Sequence, residues 1–184
     1  MFEYHDKVTA PAQSVPVLEA TEAAFGFLPN LHRIMSESPT LIEAYSRLYG
    51  LATEQTNLSP LEVQIVFMTA NYYNSCHYCV AGHSMVMTMM KAPQEIITAM
   101  RENSPLEDVK LEALRSFAHK LLENRGHVGD AALMTFLDAG YSKSQALDVL
   151  VCLSTKLLSN FTNALAHTEL DEPMKAMEWT PPEA

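Results

Sequence analysis

Apolar residues recur at helical spacing along most of the chain, and the breaks between the runs carry helix start and stop signals. Residues 1–30 form a lead-in punctuated by Pro11, Pro16 and Pro29, irregular except for a short helix around Val17–Phe25. "SESPT" at 36–40 opens a helix in which Leu41, Ala44, Tyr45, Leu48 and Leu51 share one face. Asn57 to Pro60 break it. Ser59 then reads as an N-cap, with Pro60 first and Glu62 third in the next helix. The run Val63, Ile65, Val66, Phe67, Met68, Ala70 is apolar nearly all round, which predicts a buried helix, with a short strand as the competing reading. "NYYNS" at 71–75 ends or kinks that helix, and Ser75 is expected to cap another that runs to about Met90. Pro93 and Pro105 start two more, the second closing at Gly126. Gly129 or Asp130 opens a helix closed by Gly140, and 141–170 predicts a final long helix. The tail 171–184 holds three prolines and is expected to be irregular. No alternating strand pattern competes. The expectation is an all-α fold of about seven or eight helices in a single domain over 1–184.

A faint internal repeat crosses this pattern. Shifting the chain by 84 residues lays Cys76, Cys79 and His83 on Asn160, Asn163 and His167, and Gln64 on Asp148. Two accounts fit: chance, or a degenerate duplication of a two-helix unit whose second copy has lost its thiols. In the second, Asn160 and Asn163 are structural hydrogen-bonders.

Charge narrows the partners. Lys and Arg total 12 against 22 Asp and Glu, a formal net charge of −10. That balance argues against nucleic acid or an anionic membrane as the main partner. No run of apolar residues reaches the length of a membrane span, and the N-terminus lacks a signal-peptide layout, so a cytoplasmic location is expected. In a reducing compartment a close cysteine pair points to catalysis or metal binding before a structural disulfide.

The chemistry concentrates in "NSCHYCVAGHSM" at 74–85. On a helix, Cys76, Cys79 and His83 lie at i, i+3 and i+7, one stripe, so their side chains can meet at one site. A dithiol centre needs this: one thiolate attacks, and the second thiol resolves the product into a disulfide. The first turn of the helix favours negative charge at Cys76, and His83 can move a proton. His77 points off the stripe, toward an edge or a subunit contact. Two other readings stand beside redox. A metal site would have to recruit His119, His127 or His167, because only one C-x-x-C is present. The thiols could also be small core residues. "MVMTMM" at 85–90 and Cys152 read as core or interface filler, and Tyr72, Tyr73 and Tyr78 as packing with an occasional donor role. His5, His32 and His119 carry no argument. An all-α chain with helices this apolar is expected to bury them partly against a copy of itself, with the lead-in as an arm.

The segments "LSPLEVQIVFMTANYYNSCHYCVAGH" at 58–83, "FGFLPNLHRIMSESPTLIEAY" at 25–45 and "NFTNALAHTELD" at 160–171 resemble the AhpD-like, carboxymuconolactone decarboxylase-related family, in particular its peroxidase-related branch. The resemblance implies an AhpD-like helical fold assembled into trimers or hexamers. It implies alkyl hydroperoxidase or thiol–disulfide oxidoreductase activity with no bound cofactor. Its centre would be a redox-active Cys76–Cys79 disulfide, reduced by a lipoyl-bearing protein or another thiol reductant. Carried over, Cys79 attacks the peroxide, Cys76 resolves and faces the partner, and His83 is the relay histidine. Two positions depart from the family pattern. Gln64 stands twelve residues before Cys76, where the relay glutamate is expected, and cannot take a proton. Glu62 is about 200° around the helix from it. Tyr78 precedes the second cysteine where some members have histidine, with His77 one step earlier. Alternative functions are a catalytically weak binding or scaffold protein, and a small-lactone decarboxylase with His83 as base.

Overall fold

Each break in the chain is made by identifiable capping chemistry, and the breaks decide which faces meet. The computed structural model describes residues 2–181. Among them are nine α-helices, with 3-10 turns at Ala12–Ser14 and Glu172–Met177, and no strand. The helices are α1 Val15–Phe25, α2 Asn30–Met35, α3 Pro39–Glu54, α4 Pro60–Tyr73, α5 His77–Met89, α6 Gln94–Glu102, α7 Val109–Glu123, α8 Gly129–Asp138 and α9 Lys143–Ala166. The fold is all-α, and the all-round apolar run is the helix α4, not a strand.

Several boundaries differ from expectation. The helix expected after Pro105 begins at Val109, because the Asp108 carboxylate accepts from the Lys110 and Leu111 amides and is the better cap. That helix closes at Asn124 instead of Gly126, although Gly126 does take a left-handed φ of 86° just beyond. The lead-in is more ordered than predicted, since α1 starts two residues early and ends on Gly26 at φ 77°. The tail is also ordered in part, through the 3-10 turn at Glu172–Met177; its residues 182–184 lie outside the described residues. Ser59 and Ser142 both form capping boxes, with Glu62 and Gln145. This ties Glu62 to the start of α4.

The core has two parts. α4 is central and packs on α7, α9 and α5, while α9 also packs along α3. The larger cluster fills the space between α4, α7, α8 and α9. There Phe136 is fully buried and stacks on Phe117 and Tyr141, with 4.4 Å between ring centroids in both pairs. The smaller cluster lies among α1, α2, α3 and α5 and contains Cys76, Cys79 and Tyr78 beside Leu18, Leu31 and Ile42. By length and composition alone α9 could cross a membrane. Its buried face, however, is a core face that carries polar groups: Lys156, Ser159, Asn160 and Asn163.

The aromatic stack is remote from the cysteines. Phe136→Ala should therefore destabilise the chain by about 3–5 kcal/mol in urea denaturation, while leaving the reactivity of Cys79 toward alkylating agents unchanged in the folded protein.

A buried dithiol site between two helices

The site is built on the break between α4 and α5. Asn74 closes α4, Ser75 turns the chain through a left-handed φ of 51°, and the Cys76 amide donates back to the Asn71 carbonyl at 2.9 Å. Ser75 was expected to cap α5. It supplies the turn, and the cap is Cys76, whose sulfur accepts from the Cys79 amide at 3.4 Å. Cys76 therefore sits at the helix N-terminus and Cys79 one turn inside it. Both are buried free thiols. His83 continues the stripe.

The facing wall comes from α9. Asn163 Nδ2 donates to Cys79 Sγ at 3.2 Å and lies 3.8 Å from Cys76 Sγ. Ser159 Oγ is 4.0 Å from Cys79 Sγ. Asn160 is hydrogen-bonded to Asn71 (3.0 Å) and Asn74 (2.9 Å), which holds the α4–α5 break against α9. Asn71 also donates to the Cys79 carbonyl. The two asparagines that fall opposite the cysteines in the 84-residue shift are thus their neighbours in space. His167, the third member of that echo, is exposed at the end of α9 and does not reach the site. α9 also runs unbroken through Ser159, the counterpart of Ser75.

Lys156 is the residue that sequence reasoning missed. It is only 1% exposed, and its Nζ donates to His83 Nε2 at 2.9 Å. On the other side of the ring, His83 Nδ1 donates to Gln64 Oε1 at 2.8 Å. Gln64 so fixes the neutral tautomer that leaves the Nε2 lone pair for Lys156. The signal was available as a lysine among apolar residues and on the same face as Asn160 and Asn163. It was hidden by the ordinary expectation that lysine points to water.

These contacts separate the two thiols. Burial pushes Cys79 up, but a hydrogen bond from the Cys76 thiol, the Lys156 charge, Asn160 and Asn163 outweigh it and bring Cys79 well below the ordinary thiol range. Cys76 moves up, chiefly through that same hydrogen bond and then through burial. Negative charge thus settles on Cys79, contrary to the expectation that the helix N-terminus would place it on Cys76. His83 is held well below its ordinary value by burial and by Lys156, and stays neutral. Cys152 lies in the larger core cluster, raised by burial to about 12 and inert.

Cys79, His83 and Lys156 line a mostly apolar cavity of about 60 Å³. Its walls include Phe25, Leu31, His32, Tyr45, Tyr49, Tyr78 and Met174. Gly82 opens part of it, since a Cβ there would meet the Met174 thioether at 3.4 Å. Tyr78 is more than packing. Its hydroxyl donates to Asp171 at 2.5 Å, and Asp171 accepts from the Asn30 amide at the start of α2. His77 is half-buried and bonds the Thr168 carbonyl at 3.1 Å, an edge contact within the chain. Glu62 is not part of the site: it caps α4 and lies 3.8 Å from Lys110. Among the described residues no His, Cys, Asp and Glu cluster could hold a metal ion.

Similarity to solved structures shows that the chain has the AhpD-like fold. The chain is similar over 98% of its length to a structure from Ralstonia eutropha JMP134 described as an AhpD-core, uncharacterized peroxidase-related protein (97% of that chain, TM-score 0.82, 17% identity). It is also similar to an uncharacterized peroxidase-related protein from Silicibacter sp. TM1040 (93% of this chain, 90% of that one, TM-score 0.79, 15% identity). A third similar structure is a cysteine-to-alanine variant of the debrominase Bmp8 in complex with 2,3,4-tribromopyrrole (90% and 89%, TM-score 0.75, 19% identity). No protein-family model matches the sequence, and no curated protein sequence does.

His32 gives the site a pH signature. Burial and the Lys156 charge lower it to about 4, and its Nδ1 is buried without a partner. Between pH 4 and the ordinary value of 6.5 the unfolded chain binds a proton there that the folded chain refuses. Stability therefore falls as pH falls through that window. The lowered His83 and Cys79 act in the same direction, because each binds its proton more readily unfolded. The melting temperature should drop from pH 7 to pH 5, and His32→Phe should flatten the curve below pH 6.5. A melting temperature that rises on acidification would contradict the arrangement.

Proposed function

We propose that the chain is a dithiol oxidoreductase that reduces alkyl hydroperoxides or a partner disulfide through Cys79 and Cys76. One observation carries the reading: the buried polar groups of α9 and the Cys76 thiol converge on a sulfur that lines an apolar cavity. The Cys79 thiolate attacks the outer oxygen of the hydroperoxide. An S–O bond forms, the O–O bond breaks, and the alcohol leaves with a proton. The Cys76 thiol then attacks Cys79 sulfur, the disulfide forms, and the hydroxyl leaves as water with the Cys76 proton. In balance, two thiols and one hydroperoxide give one disulfide, one alcohol and one water. Cys76, at the mouth of α5, is the sulfur a lipoyl-bearing or other thiol reductant would meet. The peroxidase-related similar structures support this reading. The apolar walls favour a small, carbon-rich substrate.

A second reading uses the same sulfurs. The aromatic lining of the cavity, together with the debrominase among similar structures, fits reductive dehalogenation of a small aromatic ring. There two thiols and a carbon–halogen bond give a disulfide, a carbon–hydrogen bond and the hydrogen halide.

One equivalent of cumene hydroperoxide should consume two thiols per chain, seen by mass spectrometry after rapid thiol blocking, and yield a Cys76–Cys79 disulfide. Cys79→Ser should abolish the reaction, and Cys152→Ser should leave it intact. A dithiol that reacts no faster than free cysteine, with hydroperoxide or halogenated pyrrole, would instead favour a binding or scaffold protein.

We also propose a homo-oligomer. Leu147, Leu150, Leu157, Phe161 and Leu165 lie exposed along one side of α9 at intervals of three, seven, four and four residues, an apolar stripe suited to a second copy of the helix. Sedimentation at micromolar concentration should give more than one chain, and Leu157→Glu should shift it toward the monomer. A monomeric unmodified protein would sink this proposal.

A further inference from the structure

A buried ammonium needs an anion, and around Lys156 the structure offers a sulfur. Among the described residues Lys156 makes no ion pair with a carboxylate. It is 1% exposed, its Nζ lies 2.9 Å from His83 Nε2 and 5.5 Å from the Phe67 ring centre, and it lines the same cavity as Cys79. His83 can offer only a lone pair, because Gln64 accepts its other ring proton at 2.8 Å. Gln64 itself carries no charge and moves no proton.

We propose that Lys156 is a catalytic residue, the counter-cation of the Cys79 thiolate in the reduced protein and the donor of the proton that leaves with the alcohol. This rests on the dithiol reading above. In the first step the ammonium gives one proton to the alkoxide released when the O–O bond breaks. Lys156 is left as a neutral amine beside the sulfenic acid, and after disulfide formation beside the disulfide. A cation with no anion is then never left in the core. When an external dithiol reduces the disulfide, two electrons and two protons return. One proton restores Cys76 and the other restores the ammonium as the Cys79 thiolate re-forms.

The other ionisable groups around Cys79 cannot fill the role. Cys76 on the same helix is needed as the resolving thiol. Tyr45 on α3 is raised by burial and stays protonated, as does Tyr49. His32 on α2 and His83 are lowered and neutral. Asp171 is occupied by the Tyr78 hydroxyl and the Asn30 amide.

Two variants separate charge from proton delivery. Lys156→Met keeps length and bulk and removes the charge; Lys156→Arg keeps the charge but does not release a proton. Each is first shown to be folded by its helical circular dichroism. The titration follows thiolate ultraviolet absorbance of the reduced protein, with Cys79→Ser as the blank, and needs no turnover. The midpoint should be low in the unmodified protein, rise by about two pH units or more in Lys156→Met toward the free-thiol value, and remain low in Lys156→Arg. A folded Lys156→Met with an unmoved midpoint overturns the pairing, and Lys156→Arg decides the same point if the methionine variant does not fold, since a raised midpoint there also overturns it. In single-turnover reaction with cumene hydroperoxide, Lys156→Arg should be slower by about a hundredfold. Its alkylation by iodoacetamide, which expels iodide and needs no proton, should stay near the unmodified rate. Equal hydroperoxide rates overturn the proton-donor role. An unmodified protein inert to hydroperoxide overturns the peroxidase reading and proton delivery together, and the absorbance midpoint still decides the charge pairing.

Discussion

The structure depends on how it accommodates one positive charge in an apolar interior. Lys156 enters from α9 into the space between α4 and α5, where water does not compensate it. Stripping one partner from a buried charge pair costs about 3–5 kcal/mol, so the surroundings of such a lysine are constrained. The Nε2 lone pair of His83 accepts a hydrogen bond from it, the Phe67 ring lies beside it, and Cys79 is the acid whose ionisation it favours. Gln64, facing His83 from α4, matters because it decides which face of the imidazole is a lone pair.

Everything that positions the thiols serves the same pairing. Had α4 and α5 been one continuous helix, Cys76 and Cys79 would both have their amides committed to helical bonds. The left-handed turn at Ser75 frees the Cys76 sulfur to cap α5, and points the next turn, with Cys79, at α9. A serine held at positive φ is unfavourable by roughly 1 kcal/mol. The Asn71–Asn160–Asn74 contacts across the break hold the turn in place. The smaller hydrophobic cluster then packs around the sulfur, and Tyr45, Tyr78 and Met174 line the cavity beside it.

Local patterns in the chain carried the helices and most caps, because those depend on neighbours within four residues. Ser59 with Glu62 is such a case, and so is the Cys76–Cys79–His83 stripe. The misses are of another kind. The Asp108 start of α7 and the Cys76 cap of α5 were mistaken for Pro105 and Ser75, since two plausible starts stood a few residues apart; Asp108 and Cys76 take the capping bonds, and Ser75 supplies a left-handed turn instead. Lys156 was missed because its meaning depends on a contact across 73 residues. Asn160 and Asn163 were picked out through the faint repeat, and the structure brings them to the cysteines even though His167 does not follow.

The departure at position 64 then takes on a positive sense. A carboxylate there would face His83 at hydrogen-bond distance and draw a proton onto the imidazole. An imidazolium cannot accept from an ammonium, so the Lys156–His83 contact would turn from attraction to repulsion. Lys156 and a glutamate relay through this histidine are therefore alternatives. With Gln64 the histidine stays neutral, Lys156 stays bound to it, and the anion that the lysine requires is left to the sulfur. The residue that looked like a lost relay is the one that lets a buried lysine take its place.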